Sequence, residues 1–155
     1  MTDYAEAQDM IEEALTTLLT PLITNGTINE LIFGGKVRGA PEPPYLQIFF
    51  GEEDFESTNI GSGVREPVEL LVDLVGVAKE LYEPHDGQKE GKRIISKARN
   101  LILADRKLGI PSLVRLVTSS KISPAYRAQK GKKTVFAGAT TLKITYIIDN
   151  QATED

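Results

Sequence analysis

The spacing of apolar residues predicts a long helix near each end of the chain. In the first 25 residues, apolar side chains recur every three to four positions, the spacing of one helical face. Pro21 and Asn25-Gly26 indicate where that helix ends. The same spacing returns from Ile94 to Ile102 and predicts a second helix over about Asp86 to Lys107. Arg106 and Lys107 are expected in its last turn, and Gly109 as its left-handed C-terminal residue. The apolar positions of the first helix are Ala7, Met10, Ile11, Ala14, Leu15, Leu18, Leu19 and Leu22.

Five other segments carry the composition or alternation of strands. They are Glu30–Phe33, Tyr45–Phe50, Val64–Lys79, Leu113–Thr118 and Thr134–Ile148. In the third segment Val68, Leu70, Val72 and Leu74 share one face, and Glu69, Leu71, Asp73, Val75 and Val77 share the other. Both faces are partly apolar, so we expect this strand to be central or to cover a partner subunit. In the last segment Leu142, Ile144, Tyr146 and Ile148 alternate with Thr141, Lys143 and Thr145.

The resulting order of elements is α–β–β–β–α–β–β, which favours an α+β fold. We expect an antiparallel or mixed β-sheet with two main helices packed on one face, and short links favour antiparallel neighbours. The 155 residues match one domain. We predict a single domain over residues 1–150 and a flexible tail over residues 151–155. No third helix is predicted for the second face of the sheet, so a neighbouring subunit is expected to cover it.

The composition excludes several function classes. With 41% hydrophobic and 26% charged residues the chain resembles an ordinary globular protein. It has no cysteine and a single histidine, so disulfides, thiolate sites and multi-histidine metal centres are excluded within one chain. It shows neither an apolar run long enough to span a membrane nor the pattern of a signal peptide. We therefore expect a protein that folds in the cytoplasm.

Charge is divided unevenly along the chain. The formal net charge is −4, yet residues 1–60 carry eleven acids and two bases. From Arg115 to Ile148 there are seven bases and no acid. The net negative charge argues against sequence-independent binding to DNA. The division itself predicts that one part of the chain can attract another.

The motifs for chemistry are incomplete. Gly87–Arg93 resembles a phosphate-binding loop, but its glycines are one residue too close and Arg93 replaces the required hydroxyl. The Gly61-Ser-Gly63 segment leads into a strand, whereas a dinucleotide site needs a helix N-terminus. His85 beside Asp86 could form a catalytic pair, and a small enzyme using His85 and Glu52 stays an alternative. We predict no catalytic residue, no cofactor and no metal.

Two charged segments are the candidate interaction sites. The first is an acidic loop, Gly51–Gly63, which contains Glu52, Glu53 and Asp54; its spacing does not match a calcium loop. The second is a basic connection, Ser123–Lys133, which contains Arg127, Lys130, Lys132 and Lys133. It is open to three interpretations: a solvated hairpin tip, a docking element for an acidic surface, or a nucleic-acid contact. Only Tyr126 could stack on a base, which disfavours a single-strand reader.

From about Asp3 to Asp149 this layout resembles the tail terminator (tail completion) proteins of long-tailed bacteriophages. The features that carry the resemblance are the amphipathic first helix, the proline-bearing loop into Tyr45-Leu-Gln-Ile-Phe-Phe, the Gly-Glu-Glu-Asp segment, the strand Glu69-Leu-Leu-Val-Asp-Leu-Val, the helix ending Leu-Ala-Asp-Arg-Lys-Leu-Gly and the closing pair of strands.

The resemblance implies an α+β subunit of a homohexameric ring in the virion, at the head-proximal end of the tail. Such a ring, assembled in the host cytoplasm, caps the tail tube, ends tube polymerisation and offers a surface to the head-tail connector or neck protein. DNA passes through its lumen without specific binding, and no enzyme activity or cofactor is implied. The alternative is another head–tail connector or neck (head completion) ring protein. We place Arg127, Lys130, Lys132, Lys133, Glu52, Glu53 and Asp54 at the subunit or tail-tube interface as a hypothesis.

Overall fold

The computed structural model describes residues 4–34, 42–55, 65–78, 84–130 and 133–149. Its elements, in chain order, are α1 (Tyr4–Thr24), β1 (Glu30–Phe33), β2 (Tyr45–Phe55), β3 (Arg65–Val77), α2 (Pro84–Leu103), β4 (Val114–Lys130) and β5 (Lys133–Asp149). This confirms the predicted order of helices and strands and the α+β class. The predicted tail at residues 151–155 lies outside the described residues.

The five strands form one mixed sheet in the order β1-β2-β3-β5-β4. β1 and β2 pair in parallel, so the expectation that sequential neighbours are antiparallel is wrong for this pair. Residues 34–44 separate these two strands in the chain, a shorter connection than most parallel neighbours have. The other three pairs are antiparallel. β5 lies between β3 and β4, which therefore run in the same direction, and α2 connects them.

Both helices pack on one face of the sheet, as predicted. The buried core joins α1 residues Ala7, Ile11, Leu15, Leu19 and Leu22 with α2 residues Ile94, Ile95, Ala98 and Ile102 and with the even-numbered positions of β3 and β5. Two glycines let α2 approach the sheet closely. A Cβ atom at Gly76 would lie 2.7 Å from Cγ2 of Ile94, and one at Gly138 would lie 2.7 Å from the carbonyl oxygen of Gly91.

The second helix ends earlier than the sequence pattern suggests. α2 ends at Leu103, so Arg106 and Lys107 lie in the following turn rather than in the last helical turn. The carboxylate of Asp105 accepts the N–H of Lys107 at 3.1 Å, a local bond that competes with helix continuation. Leu108 and Gly109 then adopt left-handed φ values of 54° and 72°. Leu108 is buried in the core, so burial of its side chain offsets the cost of that backbone conformation.

Candidate functional site

The candidate motifs for chemistry fall on a helix or outside the described residues. Gly87–Arg93 and His85 both lie within α2, and residues 61–63 are not among those the structure describes. Across the described ranges, no three His, Asp or Glu residues are grouped so that they could hold a metal ion. Nor is any helix in these ranges both long and apolar enough to cross a membrane.

The acidic segment is part of a strand, so the prediction of a loop starting at Gly51 is wrong. β2 continues to Phe55 and pairs with β3 through Glu53↔Leu70 and Phe55↔Val68. The register shifts between Phe50 and Glu53, where β2 has an extra residue. A β-bulge of this kind interrupts the alternation that a sequence pattern relies on. The polar composition of this segment therefore predicted a loop where the structure has a strand.

The bulge brings Glu53 onto the face covered by the helices. Phe50 and Glu53 pair with Val72 and Leu70, which are both buried on that face. There Tyr146 donates its hydroxyl to Oε1 of Glu53 at 2.9 Å, and the side-chain amide of Gln8 donates to the same oxygen. Glu53 therefore ties α1, β2 and β5 together.

The three acidic candidates thus differ from one another. Glu53 is half-buried and bonded within the chain, whereas Glu52 is exposed. Asp54 pairs with Glu69 in the backbone register of β2 and β3. Gln8 and Tyr146 were not identified from the sequence, because nothing local connects them to Glu53. That these acids lie at an interface stays a prediction.

The basic connection Ser123–Lys133 is also part of the sheet, because β4 continues to Lys130 and β5 begins at Lys133. Its interpretation as a link between two short strands is therefore wrong. β4 and β5 remain paired up to Lys130↔Lys133. Pro124 falls at a register shift between Ser123 and Tyr126. Proline is tolerated at a bulge on an edge strand, because its missing N–H is not needed there. Lys132 lies outside the described residues.

Among the described residues, the end of this hairpin extends beyond the other strands of the sheet. The pairing of β3 with β5 stops at Val77↔Ala137, while β4 and β5 continue together over Arg127–Lys130 and Lys133–Phe136. We call these two four-residue segments the basic arm. At about 3.4 Å per residue the arm is roughly 14 Å long.

The acidic end of β2 and the basic arm lie at diagonally opposite corners of the sheet. The acidic segment pairs with β3 near Leu70, and the arm begins beyond Val77. These two β3 residues are about 24 Å apart along the strand at 3.4 Å per residue. Across the sheet, β3 and β5 separate β2 from β4. The backbone therefore places an acidic segment and a basic segment of the sequence at opposite sides of one sheet.

The face of the sheet opposite the helices is divided between apolar and polar regions. Near the basic arm it carries a small buried cluster of Ile32, Tyr45, Val77 and Ala137. Farther along, Lys143 pairs with Glu69 at 3.2 Å, and Thr141 Oγ1 donates to Asp73 Oδ1 at 2.7 Å. Leu71 and Leu116 are the large apolar residues most exposed on this face among those described, at 38% and 44%. The expectation that a neighbouring subunit covers this face stays a prediction.

Open cavities lined by described residues include one on the helix side and one beside the turn after α1. One, of about 410 Å³, lies between α1 and the turn after α2; its lining includes Met10, Ala14, Leu18, Leu108 and Ile110. The other, of about 520 Å³, is lined by Gly26, Thr27, Asn29, Glu42, Pro43, Pro44 and Glu90. Neither brings together groups that the sequence analysis had identified as candidate sites.

Comparison with known proteins gives weak structural likenesses and no match in sequence. No protein-family model matches the chain, and no curated protein matches it. The chain is similar to a solved structure of the bacteriophage SPP1 gp17 protein, with 16% sequence identity and a TM-score of 0.46. The superposition covers 97% of this chain and 96% of that chain. A bacteriophage protein is thus a weak structural neighbour of this chain.

Proposed function

We propose that this chain is a structural subunit of a long-tailed bacteriophage virion. Copies close into a ring at the head-proximal end of the tail tube, end tube polymerisation and offer the joining surface to the head-side connector. The resemblance in sequence layout supplies the tail terminator role and the number of six copies. The observation that carries the proposal is that the acidic end of β2 and the basic arm lie at opposite corners of one sheet.

A ring needs two different surfaces on each subunit that fit one another. When the same head-to-tail contact repeats through a rotation that closes, the product is a ring. Complementary charge at such a contact speeds encounter and selects the partner and its register. Glu52 is exposed at one corner, and Arg127 and Lys130 belong to strand β4 at the other. The arrangement therefore supports head-to-tail association of identical copies.

The remaining partners follow from the same role. The tail-tube protein and the head-tail connector or neck protein contact the two ends of the ring, and DNA passes through its lumen. A net charge of −4 suits this passage, because a strongly basic channel would bind the phosphate backbone. The subunit itself carries out no chemical step in this role.

The test combines particle mass with tube capping. The wild-type chain is expected to form a ring, measured by light scattering, and to stop the growth of purified tail tubes. Changing Lys130, Lys132 and Lys133 to Glu is expected to abolish both, because the basic corner then repels the acidic one. A chain that stays monomeric at high concentration and leaves tubes growing would refute the proposal.

Electron microscopy of particles separates the terminator from its alternative. A terminator is expected on isolated tails that lack heads. If the protein is instead found on filled heads that lack tails, the role of a neck or head-completion ring replaces that of the terminator. Ring formation alone does not decide between the two, so both particle types have to be examined.

A further inference from the structure

The outer edge of β2 is unpaired over its acidic half. β1 pairs only with Tyr45–Ile48, and no described residue pairs with the outer edge of β2 beyond that point. The carbonyl of Ile48 accepts the N–H of Gly34 at 2.7 Å, so the backbone groups of residue 48 point away from β3. Alternation along the strand directs those of Phe50 outward as well. After the bulge, the backbone groups of Glu53 and Phe55 also point outward, because their β3 partners Leu70 and Val68 are even-numbered, as is Leu74, the partner of Ile48.

No strand of the described ranges pairs with the outer edge of β4 in the basic arm. β4 is the last strand of the sheet, and the carbonyl of Val117 points outward, where Arg106 donates to it at 3.3 Å. The N–H of Ile147 donates to Leu113, so the odd-numbered residues of β5 direct their backbone groups toward β4. The even-numbered residues of β5 direct their backbone groups toward β3 instead. Arg127 and Gln129 pair with the even-numbered Phe136 and Thr134, so their own backbone groups point outward, away from β5.

The two open edges have compatible directions. β2 is antiparallel to β3, which runs in the same direction as β4, so β2 and β4 are antiparallel within one subunit. The two segments lie at opposite ends of the strands, so a rotation about an axis parallel to the strands would leave them far apart along that direction. In a ring whose strands are inclined to its axis, the rotation also offsets neighbouring copies along the strands, and β4 of one copy can then lie beside β2 of the next, still approximately antiparallel. Antiparallel pairs are slightly more stable per residue than parallel ones.

We propose that the outer edge of β2 over Phe50–Phe55 pairs with the outer edge of β4 over Arg127–Lys130 of a second copy. This joins the sheets of neighbouring subunits through main-chain hydrogen bonds, the mode of recognition known as strand addition. The proposal rests on the proposed function, because the ring supplies the second copy. The inference specifies which two surfaces of neighbouring subunits are in contact in that ring.

Charge favours this particular pairing. The β2 segment holds Glu52 and Asp54, and the β4 segment holds Arg127 and Lys130. Lys130 also lies opposite Lys133 in the hairpin, and like charges directly opposite destabilise a strand pair. An acidic strand beside the arm lowers that repulsion. Bases on an edge strand can instead protect a monomer from aggregation, and the experiment distinguishes these two roles.

The experiment uses two charge-reversal variants of the full chain. One carries Glu52→Lys and Asp54→Lys, which leaves Glu53 and its internal hydrogen bonds intact. The other carries Arg127→Glu and Lys130→Glu. Each variant alone is expected to fall from ring mass to the 17.0 kDa of one chain. An equimolar mixture is expected to regain ring mass, because every contact again joins opposite charges.

Matched controls change the same number of charges elsewhere. Asp9→Lys with Glu13→Lys, and Lys92→Glu with Lys97→Glu, alter exposed helix positions and are expected to leave the ring intact. A third variant, Gln129→Pro, removes an outward N–H without removing a hydrogen bond inside the hairpin, and it is expected to weaken assembly. Circular dichroism and thermal unfolding verify that every variant is folded.

The outcomes separate this inference from the proposed function. If the wild-type chain forms a ring and caps tubes but both reversal variants still form rings, the edge contact is wrong and the function stands. If each variant is monomeric and the mixture stays monomeric, the contact does not join these two edges, and the inference is also wrong. A wild-type chain that stays monomeric at high concentration and leaves tubes growing refutes both.

Discussion

The two faces of the sheet show how one strand serves two environments. Along β3, Val68, Leu70, Val72 and Leu74 are fully buried beneath the helices. On the opposite face, Leu71 is 38% exposed and lies among Glu69, Asp73 and Lys143. The helix-covered face is complete within one chain, whereas the open face mixes apolar and ionic contacts that water can reach. Along β3, burial of apolar side chains is thus concentrated on the helix-covered side.

The largest expected difference between the faces comes from truncating leucines on β3. Leu70→Ala should lower the free energy of unfolding by about 2–5 kcal/mol, because it leaves a cavity in the core. Leu71→Ala should change it by about 0.5 kcal/mol or less, as at most surface positions. Urea unfolding of the monomeric reversal variant measures both without a contribution from assembly. Equal losses would show that the open face is as well packed as the core.

The next largest loss of stability is expected where α2 closely approaches the sheet at Gly138. Gly138→Ala should cost about 1–3 kcal/mol, because the added Cβ overpacks against the backbone of Gly91. The control is Gly51→Ala, where the new Cβ would be 3.3 Å from the carbonyl oxygen of Leu71 and a smaller loss is expected. Thermal unfolding compares the two. A tolerated Gly138→Ala would mean that α2 shifts away from β5 at little cost.

The next prediction concerns the hydrogen bond that Tyr146 donates to Glu53 beneath the helices. Tyr146→Phe should lower the free energy of unfolding by about 1.5–3 kcal/mol, the range for bonds to charged groups. Thr141→Val removes a donor to Asp73 on the exposed face, where water can replace it, and should cost less. Denaturant unfolding of both variants compares a half-buried bond with an exposed one. Equal losses would contradict the expected effect of burial.

The ion pair on the open face should have the smallest effect. Lys143→Ala should cost about 0–1 kcal/mol, as is typical of exposed pairs, since the Lys143 side chain is 45% exposed and that of Glu69 is 27% exposed. The loss should shrink further in 1 M salt, where such interactions are screened. Unfolding at low and high salt measures it. A larger, salt-independent cost would indicate that this face is covered in solution.

Local periodicity predicted much of the fold. The 3.6-residue spacing identified α1 and α2, and the two-residue alternation assigned the faces of β3 and β5, because both periods are properties of neighbouring residues. The end of α2 was misplaced by a few residues. The helix stops before Arg106, because the carboxylate of Asp105 accepts the N–H of Lys107 and the side chain of Leu108 turns into the core. The extension of β2 to Phe55 was missed, because its partner strand stabilises a polar segment that looks like a loop.

The candidate site depends even more than the fold on contacts between residues that are far apart in the chain. The amino-acid sequence alone determined the division of charge, the two helices, the order of the elements and the buried stripes of β3 and β5. Only the tertiary structure decided that β5 inserts between β3 and β4, that a bulge turns Glu53 toward Tyr146, and that the charged segments lie at opposite corners. Strand order and register depend on pairing between residues far apart in the chain, and no local pattern of side chains specifies that pairing.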